Sequence, residues 1–135
     1  YPLEVDRALF NRYKCPVKYD TLYINLDDII DKNGFTKPFF IQFIYYAKRD
    51  AKKIKLFAMK DYVLNEMMNR LFIHQDLFDE IIRINPEEDK YKYITEKNKV
   101  VFIDSSQKER MKVNKELSIP VFDVDAINIL IDWSE

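Results

Sequence analysis

Short runs of β-branched and aromatic residues recur along the chain at 21–26, 54–59, 80–84, 100–103 and 120–124. Their continuous apolar stretches predict strands covered on both faces of a parallel sheet rather than strands with one wet face. The stretches between them are of helical length, and the pattern predicts helices over 37–48, 61–71, 86–94, 106–117 and 125–133. Several predicted starts carry capping chemistry. Ser106 is followed three residues later by Glu109, the spacing of a capping box. Asn85, Pro86 and the acidic Glu87, Glu88 and Asp89 offer a cap, a first-turn proline and negative charge at the positive end of a helix dipole, and Asp125 can cap the last helix. Strands alternating with helices predict a doubly wound α/β domain. Residues 1–19 stand outside the alternation, and read either as an extra edge strand or as the tail of a preceding domain.

Charge narrows the choice of partner. Lys and Arg total 22 against 23 Asp and Glu, a net charge of -1, so the broad cationic face needed for sequence-independent nucleic-acid binding is missing. Hydrophobic residues at 47% and charged residues at 33% are the composition of a folded domain, not of a disordered tail. Cys15 is the single cysteine, which leaves no internal disulfide framework and points to a reducing, cytoplasmic setting. No apolar run approaches the ~20 residues that cross a bilayer, so no membrane partner is expected. Gly34 is the single glycine; a phosphate-binding glycine loop and a dinucleotide fingerprint each need several. Phosphate chemistry, if present, falls to carboxylates or helix N-termini.

In open parallel sheets ligands bind beyond the carboxyl ends of the strands. The predicted first strand ends in Asn25-Leu26-Asp27-Asp28, the second in Ala58-Met59-Lys60-Asp61 and the fourth in Asp104-Ser105-Ser106. With Lys90 or Lys92 just ahead of the fourth strand, these residues would make a small site for a cation and a phosphate. Each also has a plainer role: Asp27 and Asp28 as solvated turn residues, and the two lysines as surface charges. His74, the sole histidine, has no Cys, Asp or Ser at a spacing that makes a base of it, and Cys15 reads as a packing residue. Phe39, Phe40, Phe43, Tyr45 and Tyr46 recur around a helix as core packing; any part left exposed would be a docking surface for a neighbouring domain.

The stretch Tyr23-Ile24-Asn25-Leu26-Asp27-Asp28-Ile29-Ile30 resembles the first motif of the haloacid dehalogenase (HAD) superfamily, an apolar strand ending in Asp-x-Asp. Lys55-Leu56-Phe57-Ala58 stands where that family's second motif ends in Ser or Thr, Lys90 for its third-motif lysine, and Val101-Phe102-Ile103-Asp104-Ser105 for its fourth, acidic motif. The resemblance covers about 20–133. It implies a three-layer Rossmann-type α/β sheet of strand order 5-4-1-2-3, with no substantial cap because 31–36 is too short to hold one. It also implies a lost reaction. The nucleophilic aspartate of active members is Asn25 here, the second-motif hydroxyl is Ala58, the threonine after the first motif is Ile29, and the second acid of the fourth motif is Ser105. An amide is a very poor nucleophile. Of the two carboxylates the family uses to hold Mg²⁺, only Asp104 remains, so weak or absent Mg²⁺ binding and no other cofactor are expected.

The runs 104–110 and 119–125 look like the C-terminal HAD-like domain of ATP-grasp proteins related to the carbamoyl-phosphate synthase large subunit, which are often associated with cell-surface polysaccharide synthesis. That resemblance implies that 1–19 is the tail of an ATP-grasp domain and 20–135 a degenerate, accessory HAD-like domain beside it. Two other functions stay open. One is a residual Mg²⁺-dependent phosphatase or phosphotransferase, with Asp27 as acid/base, Asp104 for metal and Lys90 for phosphate charge. The other is a module that grips a phosphorylated metabolite through Ser105, Ser106 and the helix N-terminus they open.

Overall fold

The computed structural model describes residues 17–131. Five strands, β1 (Thr21–Asn25), β2 (Lys53–Met59), β3 (Glu80–Ile84), β4 (Val100–Ile103) and β5 (Val121–Phe122), form one all-parallel sheet in the order β3-β2-β1-β4-β5. This is the expected 5-4-1-2-3 order. β1 is central and all five of its residues are buried, the cause of its unbroken apolar pattern.

Alternation along the strands sends side chains to two separate cores. Leu22 and Ile24 of β1, Ile54, Leu56 and Ala58 of β2, and Val101 and Ile103 of β4 face one side. There they meet helix α2 (Pro38–Arg49), whose Phe40, Phe43, Ile44 and Ala47 make one helical stripe, and helix α3 (Leu64–Leu71), which contributes Met68 and Leu71. A 3₁₀ helix, Val124–Leu130, closes that side with Ile127 and Leu130. Tyr23, Phe57, Ile82, Ile84 and Phe102 face the other side, under Ile94, Ile119 and Val113 of helix α4 (Gln107–Leu117). Each fully buried Leu, Ile or Phe contributes about 1.5–3 kcal/mol, which makes these two layers the source of the fold's stability. The result is the expected three-layer, Rossmann-like domain. A single helical turn follows β1 directly, Leu26–Ile29, here α1.

Residues 31–36 form a tight turn and not a cap. Asp31 Oδ1 accepts the N–H groups of Asn33 and Phe35, Ile30 bridges Thr36, and Gly34 takes φ +85°, the conformation that favours glycine. Two predicted helices take other forms. Over 86–94 there is a turn followed by a 3₁₀ turn, Lys90–Tyr93. Glu88 reaches back to the Asn85 N–H at 2.8 Å while its own N–H donates to the Asn85 carbonyl, and Asp89 is held by Lys112 of α4 at 2.8 Å. The acidic residues expected to sit at a helix dipole thus close a turn and pin it to α4. The last predicted helix is the 3₁₀ helix already described; its end at 132–133 lies outside the described residues. So do Cys15 and nearly all of the 1–19 extension, of which Tyr19 is buried in the first core and accepts a hydrogen bond from Lys52 at its carbonyl.

Candidate functional site

The sheet's carboxyl edge brings the ends of β1 and β4 side by side. β1 ends at Asn25, 6% exposed. The helical turn of α1 then places Asp28, three residues on, on the same side as Asn25. The Asn25 amide Nδ2 donates to Asp28 Oδ2 and to the carbonyl of Ile103, each at 3.2 Å, and the backbone N–H of Ser105 donates to the same Asp28 oxygen at 3.2 Å. Asp104, 3% exposed, follows β4. Its Oδ2 accepts from Lys90 Nζ at 2.8 Å and its Oδ1 from the Ser106 N–H at 2.8 Å. Arg110 donates to the Asp104 carbonyl at 2.7 Å and lies 3.8 Å from Asp123.

The start of α4 therefore carries two internal anions. Asp28 and Asp104 accept the N–H groups of Ser105 and Ser106, just ahead of the first turn, and so place negative charge at the positive end of the helix. Half of the predicted capping box forms: Ser106 Oγ accepts the Glu109 N–H at 3.3 Å. Its reciprocal arm does not, because the Ser106 N–H is given to Asp104.

Of the residues singled out by sequence, Asn25, Asp28, Lys90, Asp104, Ser105 and Ser106 come together here. Lys90, not Lys92, is the lysine of the cleft; Lys92 is exposed. Asp27 takes no part in the cluster. It is exposed and accepts a hydrogen bond from the hydroxyl of Tyr62. That bond, with partial burial and the charge of Asp27, pushes the Tyr62 hydroxyl up to about 12. Arg83 of β3 fixes the loop that carries Tyr62, donating to the carbonyls of Met59, Lys60 and Tyr62. Ala58 and Ile29 lie in the first apolar core. His74 is exposed, its Nδ1 accepting the N–H of Asp76.

Arg110, Tyr62 and Arg83 were not singled out by sequence, because their roles depend on which segments the topology brings to the sheet edge.

The donors present do not fit Mg²⁺, which needs several free hard oxygens. Both oxygens of Asp104 are engaged, one by an ammonium, and Asn25 turns its amide nitrogen toward Asp28. Among the described residues no three His, Cys, Asp or Glu side chains converge as a metal-binding group. No family model, curated protein or solved structure matches the chain.

Proposed function

We propose that this chain is a catalytically silent, HAD-like accessory domain, the C-terminal part of an ATP-grasp protein related to the carbamoyl-phosphate synthase large subunit, acting through contacts with that neighbour. One observation carries the silent reading. The side chain at the end of β1, where a phosphotransferase of this kind would keep its nucleophile, is an amide whose nitrogen is spent on Asp28 and the Ile103 carbonyl. Loss of a nucleophile costs on the order of a million-fold in rate where it has been measured in another hydrolase. The strand order agrees with the family resemblance, and the Lys90–Asp104 pair joins the two residues that stand for its third and fourth motifs.

The contact role has a surface to act through. On α2, Phe40 and Phe43 are core, but Phe39 and Tyr45 are exposed, as are Phe35 and Phe72. A phosphorylated metabolite is the weaker reading, because Asp28 and Asp104 already set two carboxylates at the head of α4 and take the N–H groups of Ser105 and Ser106. Hydrolysis of a generic aryl phosphate by the unmodified chain, with and without Mg²⁺, tests the proposal. No turnover above the buffer rate is expected; saturable turnover that disappears in Asp104→Asn would overturn it.

A further inference from the structure

The misfit between the cleft and a divalent cation has a positive counterpart. Asp104 is a carboxylate with 4% of its side chain exposed, and such a charge is stable inside a protein only when it is paired and hydrogen-bonded. Lys90 supplies the pairing from a side chain that is itself 12% exposed, and the Ser106 N–H satisfies the other oxygen. Lys90 is held in place from the preceding residue: Asp89, which leads into the 3₁₀ turn, is bound by Lys112 of α4, so these two consecutive residues make ion pairs to α4 and to β4's end. We infer that Lys90 is the resident cation of this cleft, balancing Asp104 permanently in the charge role that a divalent ion would otherwise take, and locking the 90–93 turn onto the sheet edge.

The inference concerns the same cleft as the proposed silent domain, yet the two fail separately. Metal-independent turnover would remove the silent reading and leave Lys90 as the resident cation. A dispensable Lys90 would remove the present inference and leave the domain silent.

Thermal unfolding tests it on the full chain. For the unmodified protein at constant ionic strength, Tm should stay within about 1 °C as Mg²⁺ rises to millimolar levels, since a ligand that binds only the native state would raise it. Lys90→Met strands a buried carboxylate and should lower Tm by about 10 °C. Adding Asp104→Asn to Lys90→Met removes the stranded charge while keeping an acceptor for the Ser106 N–H, so the double variant should regain about half of that loss. A saturable Mg²⁺-dependent rise in Tm of the unmodified chain would overturn the inference. So would an unchanged Tm in Lys90→Met, or a double variant less stable than Lys90→Met alone. If Lys90→Met does not fold, a folded double variant supports the inference and an unfolded one refutes it.

Discussion

Asn25 shows how one atom type decides the chemistry of the sheet edge. As an amide it is a donor to a buried carboxylate and to a carbonyl; as an aspartate it would offer neither hydrogen bond and would face Asp28 as a like charge. Asn25→Asp should therefore destabilise the domain by about 2–4 kcal/mol at neutral pH. The sign of its pH dependence follows from repulsion: one carboxyl of the new pair is held above its ordinary pKa in the folded state, so the folded protein binds the extra proton and the deficit shrinks on acidification. Urea unfolding at pH 7 and pH 4 measures both effects, and an Asn25→Asp variant as stable as the parent at pH 7 would speak against the observed hydrogen bonding. Asn25 and Asp104 were legible in the sequence because each stands at the carboxyl end of a strand, where the fold class puts ligands, and Lys90 was legible from its place between the third and fourth strands in the family resemblance. Asp28 was legible as a strand-end acid, but its bond to Asn25 was not, because a one-turn helix directly after a strand carries too few residues to show periodicity.

The strands were legible at the scale of elements, since burial on both faces leaves continuous apolar runs with little room for another reading. Helices were less so. The 86–94 stretch has a cap, a proline and acids in the right places for a helix start. In the fold, Glu88 bonds the Asn85 N–H and accepts the Tyr93 hydroxyl, while Asp89 bonds Lys112. Side-chain bonds to nearby backbone offer an alternative to the helical ladder, and tertiary ion pairs settle the competition. The loop after β2 is governed in the same way from a distance, by Arg83. Arg83→Ala removes a guanidinium that serves three carbonyls, and should cost about 2–3 kcal/mol. Hydrogen exchange should quicken at the amides of 60–63 ahead of those of β2, whereas equal protection in both proteins would mean that the loop holds itself.

Across the whole molecule, a second polar cluster joins β1, β2 and β3 to the segment before β4. Glu96 accepts from the Tyr23 hydroxyl at 2.6 Å and from Lys55 Nζ at 2.7 Å, and Lys55 also lies 3.4 Å from Glu80. Burial alone would raise the Glu96 carboxyl, but the hydrogen bonds from Lys55 and Tyr23 outweigh it and hold the group below the ordinary glutamate value. The stabilisation this provides is complete above the unfolded-state pKa and is lost as pH falls through the lower folded value. Glu96→Gln should therefore lower the urea midpoint at pH 7 and narrow the gap between pH 7 and pH 3; a gap as wide as the parent's would place the acid sensitivity elsewhere. In both clusters a carboxylate is paired with a lysine of the same chain, Asp104 with Lys90 and Glu96 with Lys55. The most direct measurement is a calorimetric titration of the unmodified protein with Mg²⁺, followed by the same titration with inorganic phosphate. A self-neutralised, silent cleft gives no saturable heat with either. Saturable binding of Mg²⁺ would mean that Asp104 is available to a cation despite Lys90, and would contradict it.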